Sequence, residues 1–460
     1  MRQRVRPSRG QLSMVEGSIW RSLVDFAVPI FLGNLFQQLY NTADTLIVGN
    51  FIGKEALAAV SSSGSLINMM VGFLSGLTTG AGVLIAKYYG AKEYDKMSRA
   101  IHTGLAAAAL AGLAMTAAGV ALTPWILRWM GTPETVLPSS VAYFRTYFYG
   151  ALASFLYNAA TGVLQAVGDS RRPLYYLMLS SFINVGLDLL FVGGFRWGVA
   201  SAAAATVISK VVSAALCLAQ LARTEQVWRV ELRKVAVDRP TLGLIARFGL
   251  PSGVQNAMIG LANVVVQANI NAFGDDAMAG CGAYFKLEGF AFLPITCFSM
   301  ALATFVGQNL GAREYGRARR GARFGILCAV VMAELIGLGI FLAAPALVGL
   351  FNDDPAVLAY GVRQCRVEAL FYCLLAFNHC VAGVLRGAGR AAVPMTVMLL
   401  CWCLLRVSYI TVAVRLIPAI EMVFSGYPVS WTVSAVIFLI YYLRADWLHA
   451  FDRLDARGRG

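Results

Sequence analysis

Asp44 and Asp188 each stand inside a long apolar run of the chain. A carboxylate at bilayer depth is costly, and where one occurs it usually marks an ion or proton pathway. Asn184 precedes Asp188 by one helical turn, so both project from the same face. Thr206, in the following apolar run, adds a hydroxyl. Two carboxylates, an amide and a hydroxyl form a hard-oxygen set that suits Na⁺, and equally a carboxyl pair sharing one proton. Gln37, Tyr40 and Asn41 are expected to face the same interior as Asp44, with Gln37 and Tyr40 seven and four residues before it. Amide and aromatic groups over an acid suit an amphipathic organic ligand, although the same groups also serve as packing glue between helices. Pro29, earlier on that helix, removes one backbone bond and bends the axis. Protonation of Asp44 that straightens or kinks the helix is one reading, and a static bend is the other.

The second half of the chain carries its own buried charges: Lys286, Glu288, Glu334, Glu368 and Arg406. A buried arginine needs a partner, and Glu288 or Glu368 is the expected one. Together with His379, beside Asn378, these residues define a candidate polar network whose plainest role is structural pairing. His379 is read as a packed, hydrogen-bonded imidazole ahead of a proton relay. Gly72, Gly76 and Gly80, spaced by four, permit close helix contact and are read as binding nothing.

These residues need helices that cross a membrane. The 460 residues are 58% hydrophobic and only 13% charged, about half the charge of a soluble domain. Mean hydropathy is +0.66. The net charge of +14 sits in short loops between apolar runs, which orients helices and argues against a nucleic-acid partner. All nine cysteines fall at or after Cys217, with no Cys-x-x-Cys, so neither a disulfide framework nor a metal site is expected. The basic N-terminus lacks the features of a cleavable signal.

Apolar runs place spans at 22–48, 57–87, 101–128, 141–166, 174–194 and 198–222, then at 243–271, 280–308, 323–349, 364–386, 394–416 and 426–445. The expected organisation is a tail over 1–21, an N-lobe over 22–222, a linker over 223–242, a C-lobe over 243–445 and a tail over 446–460. Basic clusters follow every second span, as at Lys87–Arg99, Arg171–Arg172, Arg223–Arg247, Arg313–Arg320 and Arg386–Arg390. Both termini are therefore expected on the cytoplasmic side of the plasma (inner) membrane.

The halves repeat. Gly90-Ala91-Lys92-Glu93-Tyr94 returns as Gly311-Ala312-Arg313-Glu314-Tyr315, 221 positions later. Gly162-Val163-Leu164 returns as Gly383-Val384-Leu385, and Gly168 and Pro173 return as Gly389 and Pro394 at that offset. Phe26-x-x-Pro29 matches Phe248-x-x-Pro251 within one residue. Six spans per copy is an even number, so the copies enter from the same side and form a parallel repeat. The fold class expected is all-α integral membrane, with twelve helices in two six-helix lobes.

The run from Pro29 to Asp44-Thr45, the Gly-Ala-Lys-Glu-Tyr turn, Gly162 to Pro173, and Phe305-Val-Gly-Gln-Asn-Leu-Gly-Ala312 resemble the multidrug and toxin extrusion (MATE) family over nearly the whole chain. The resemblance implies cation-coupled export of small organic molecules, with Asp44, Asn184, Asp188 and Thr206 matching the N-lobe cation site of one branch. Another branch places a glutamate in helix 7. Here Gly249 to Ile259 holds no acid, which puts a C-lobe Na⁺ site of that type in doubt.

The reading is thus a monomeric antiporter in the lipid bilayer that exports small organic compounds, cationic or zwitterionic, by alternating access. It needs no cofactor beyond H⁺ or Na⁺ as coupling ion. The alternative is a lipid-linked oligosaccharide flippase of related fold. An enzyme is disfavoured because no phosphate-binding loop, His-Glu-x-x-His or paired intramembrane aspartate motif occurs. Asp275-Asp276 and Asp353-Asp354 fall in expected outside loops as solvated turns.

Overall fold

The computed structural model describes residues 14–51, 72, 76, 78–129, 132, 134 and 137–457. Every regular element among them is helical. In chain order these are α1 (Ile19–Phe51), α2 (78–90), α3 (Tyr94–Trp129), α4 (Leu137–Tyr149), α5 (Ala151–Ala166), α6 (Arg171–Asp188) and α7 (Val199–Arg223). There follow α8 (Arg239–Asn271), α9 (Asp275–Gly311), α10 (Tyr315–Gly349), α11 (Pro355–Glu368), α12 (Tyr372–Gly387), α13 (Ala392–Met398), α14 (Arg406–Leu416), α15 (Glu421–Arg444) and α16 (Ala450–Arg457).

Some consecutive helices make one rod. A single turn at Gly150 joins α4 to α5, a 3-10 turn over Ala369–Phe371 joins α11 to α12, and a wide π turn over Leu399–Leu405 joins α13 to α14. Another π turn, Leu189–Gly194, extends α6. Nine of the described rods are long and apolar enough to cross a membrane. With α2, the α4–α5 rod and α8 they make the twelve spans that the apolar runs call for. Helices run past those runs, as where α3 begins at Tyr94 and α10 at Tyr315, because hydropathy locates the apolar stretch and not the cap. Of the expected second span, 57–71 and most of 73–77 lie outside the described residues, as do residues 1–13 and Lys54.

Two compact units divide the chain. One comprises residues 28–250 and the other residues 14–27 with 251–460, among those described. The divisions fall inside α1 and α8, next to Pro29 and Pro251, and past the linker at 223–242. Proline cannot donate its backbone bond and pushes its ring against the preceding turn, so each helix can change direction there.

Within the first unit α3 packs on α4 and α5, and α7 on α4, α5 and α6. Within the second, α9, α10 and α12 pack on one another, while α15 packs on α11, α12 and α14. The repeat is visible atom by atom. The Gly162 Cα faces the Thr78 carbonyl, and Gly383 faces the Ser299 carbonyl, both pairs shifted by the 221 of the sequence repeat. Lys92 and Arg313, equivalent residues, both take left-handed turns, with φ of 59° and 62°.

Polar anchors tie the ends down. Arg317 donates to the Met14, Gly17 and Glu16 carbonyls at 3.1, 2.7 and 2.9 Å, and Met14 is fully buried. At the other end Tyr315 donates to Asp452 at 2.8 Å, docking α16 on the start of α10. The linker packs on the first unit, with Trp228 buried edge-on to Tyr89. There Glu231 N–H donates to His102 Nε2 at 3.0 Å and Asp238 N–H to Thr103 Oγ1 at 3.3 Å.

Candidate functional site

Helices α1, α6 and α7 of the first unit bring the four oxygen-bearing residues together. Asp188 closes α6 immediately before the π turn, and Asn184 lies one turn earlier; both are fully buried. Asn184 Nδ2 reaches Thr206 Oγ1 on α7 at 3.5 Å, and Thr206 donates to the Ala202 carbonyl at 3.2 Å. The carboxyl groups of Asp44 and Asp188 face each other within hydrogen-bonding reach. Such a contact is a hydrogen bond only when one of the two carries a proton.

Asp44 Oδ1, both oxygens of Asp188 and Asn184 Oδ1 are buried, with no donor among the described residues. Buried acceptors are ordinarily satisfied, and two adjacent carboxylates repel each other in a medium of low dielectric. The cluster therefore calls for something positive: a proton shared between the acids, or a cation held by their oxygens. The chemistry of the donor set fits Na⁺ as it fits H⁺. An apolar wall of Ile47, Leu127, Phe144, Phe148, Val192, Val199 and Ala202 packs together in the same unit. Tyr143, in the same wall, brings its phenol into electrostatic reach of both aspartates.

The three ligand candidates on α1 do not stay together. Tyr40 is buried, Gln37 is half-buried and Asn41 lies on an exposed face, because residues 40 and 41 are a hundred degrees apart around the axis. Helix α1 continues unbroken through Pro29.

In the second unit Glu368, fully buried, accepts from Tyr284 Oη at 3.0 Å and from Gln364 Nε2 at 2.8 Å. Tyr372 Oη is 3.0 Å from Tyr284 Oη. Arg406 departs from its expected pairing. It lies within electrostatic reach of Glu288 and Glu368, but among the described residues no carboxylate sits at ion-pair distance from it. Its guanidinium lies 4.2 Å from the Tyr427 ring centre and 5.3 Å from that of Trp402, and Nε donates to Ser430 Oγ at 2.9 Å. A weakly hydrated, planar cation is stabilised by aromatic faces in this way.

Glu334 stands apart, accepting from the Cys373 N–H at 3.2 Å. His379 packs between Phe292 and Trp402, with Nε2 buried and unpaired, so the expected hydrogen bond at that nitrogen is absent. Lys286 is exposed, over the Phe351 ring. On α8 the neighbourhood after Pro251 holds Gln255, which is buried and donates to Met398 Sδ at 2.8 Å.

One residue escaped the reading of the sequence. Lys210 lies one turn after Thr206 on α7, with its ammonium 6.0 Å from the Tyr40 ring centre and 5.5 Å from that of Tyr157. The signal was present, since Lys210 is the only Lys, Arg, Asp or Glu between Arg196 and Arg223. A cavity elsewhere in this unit, lined by Ala81, Ile85, Ile101, Leu105 and Phe155, is apolar and contains none of the candidate site residues.

Comparison with known proteins accounts for both halves. The MatE family model matches residues 29–190 and again 251–412, two copies in register at the offset of Pro29 and Pro251. The probable multidrug resistance protein YoeA of Bacillus subtilis is 28% identical over 92% of this chain and 94% of its own. A protein named FAD transporter, from Shewanella oneidensis, is 25% identical over 75% of this chain and 77% of its own. A solved MOP superfamily transporter from Pyrococcus furiosus superimposes with a TM-score of 0.90 at 22% identity, over 96% of this chain and 99% of that one. With two matched copies spanning most of its length, and the paired prolines and turns that the copies share, the chain belongs to the MatE family.

Proposed function

We propose that this protein is a secondary antiporter that exports small organic compounds in exchange for H⁺ or Na⁺. The observation that carries the reading is the cluster of Asp44, Asp188 and Asn184 oxygens, buried and without donors among the described residues. A site built this way holds a proton or a cation, or else bears uncompensated charge. Ion binding to the first unit favours one conformation and substrate binding the other, so each displaces the other's population and the two fluxes are coupled. Tyr40, beside the acids, contributes an aromatic face for the organic ligand, and Gln37 an amide. Pro29 leaves one helical bond unmade, and we assign it the point at which α1 responds to the charge on Asp44.

The relatives bear on the substrate class. YoeA is named for multidrug resistance, which supports export of varied organic molecules, and the FAD transporter is named for an anionic nucleotide. We place the protein in the plasma membrane with both termini cytoplasmic, on the distribution of basic loops, and take its unit of transport to be a monomer. Its transported compounds leave unmodified.

Efflux of fluorescent dyes from proteoliposomes tests the proposal. Export driven by an imposed pH or Na⁺ gradient, and lost in Asp44→Asn, is the expected result and identifies the ion. Efflux that Asp44→Asn leaves intact against a gradient would refute the role of the acid pair.

A further inference from the structure

Asp44 and Asp188 explain how a cation or proton is held, but not why a lysine stands one turn away. An ammonium at mid-span is costly, and such a residue ordinarily pairs with another charged group or with backbone carbonyls. The groups around Lys210 are tyrosines instead: Tyr40 from α1 and Tyr157 from α5, with ring centres 6.0 and 5.5 Å from its ammonium. Among the described residues no carboxylate forms an ion pair with it. Phenol oxygens and ring faces stabilise an ammonium in part, but they leave its net charge in place.

We propose that Lys210, with Tyr40 and Tyr157, forms an anion-accepting subsite that takes the carboxylate or phosphate of the transported compound. The inference rests on the transport reading and narrows its substrate class. Lys210 follows Thr206 by one turn, and Tyr40 precedes Asp44 by one turn. The subsite therefore lies roughly 6 Å along the helices from the acid cluster. A molecule with a cationic group at Asp44 and Asp188 and an anionic group at Lys210 satisfies both ends at once. This is the charge pattern of a zwitterion, with its opposite charges one helical turn apart. A plain organic cation satisfies only one end and meets Lys210 as a like charge. The phenol of Tyr40, one turn before Asp44 on α1 and near the Lys210 ammonium, is a neutral hydrogen-bonding group between the two poles.

A matched pair of probes tests this: a rhodamine with a free carboxylate, and the methyl ester of the same dye. Fluorescence polarisation measures binding of each to the full-length protein in nanodiscs, for wild type, Lys210→Met and Lys210→Arg. Lys210→Met is expected to weaken binding of the acid about tenfold while leaving the ester within about twofold, as loss of one charge-assisted contact requires. Lys210→Arg should keep most of the preference for the acid. The proposal is overturned if wild type does not bind the acid, if Lys210→Met leaves both affinities unchanged, or if the two fall together. Gradient-driven efflux from proteoliposomes separates this from the wider reading. Efflux without acid-selective loss in Lys210→Met defeats the subsite alone. Acid-selective loss without gradient-driven efflux by wild type defeats the antiporter and leaves the subsite standing.

Discussion

At the scale of single residues, the first unit holds two acids whose buried oxygens accept no hydrogen bond from the described residues. Burying an unpaired carboxylate costs several kcal/mol, and relief comes only from a proton or a cation. Asp188→Asn is therefore expected to raise the melting temperature in Na⁺-free buffer at neutral pH while abolishing gradient-driven export. A thermal-shift assay run beside the efflux assay checks both, and a fall in melting temperature would mean the carboxylate is structurally satisfied. Asp44, Asn184, Asp188 and Thr206 were legible in the sequence because helical spacing and bilayer cost are local facts. Lys210 was as plain on the same terms, but it sits in an alanine-rich run whose hydropathy hides one charge. The partner of Arg406 was not legible, because the faces of Tyr427 and Trp402 carry no sign in a list of charges.

At the scale of elements, close helix contacts and caps hold the site's scaffold in register. A methyl group on Gly383 would collide with the Ser299 carbonyl, whereas at the equivalent Gly162 the Thr78 carbonyl stands 3.7 Å away. Gly383→Ala should thus destabilise by about 1–3 kcal/mol and Gly162→Ala much less, as thermostability in size-exclusion chromatography will show. Equal effects would contradict this account of the α9–α12 contact. At the start of α8, Asp238 accepts from the Thr241 hydroxyl and N–H. Those bonds favour the charged form and hold its carboxyl below the usual range. A folded value below the unfolded one, about 3.9, gives stability that is present above that pH and lost as pH falls through the folded value. Asp238→Ala should be less stable than wild type at neutral pH, with the difference closing in acid. The turn at Lys92 and Arg313 was legible as a repeated motif, but its left-handed backbone was not, since neither residue is one that favours it.

At the scale of the whole molecule, the sequence repeat, the twelve spans and the two matched copies of the family agree. The unit boundary was harder to read, because charge and hydropathy point to the basic linker while packing divides the chain beside Pro29 and Pro251. Arg317, fastened to three carbonyls of residues 14–17, makes the start of α1 part of the second unit. Arg317→Ala should release that segment, seen as faster amide exchange over residues 14–18 with little change in α6 or α7. Unchanged exchange there would show the segment is held by other contacts. The central claim is that coupling ion and substrate compete for the first unit. The most direct test is the affinity of the purified protein for a transported dye, measured across pH without Na⁺ and across Na⁺ at fixed pH. The account predicts that one of these ions weakens dye binding about tenfold or more, and that the dependence vanishes in Asp44→Asn. An affinity that stays flat across both titrations would contradict it.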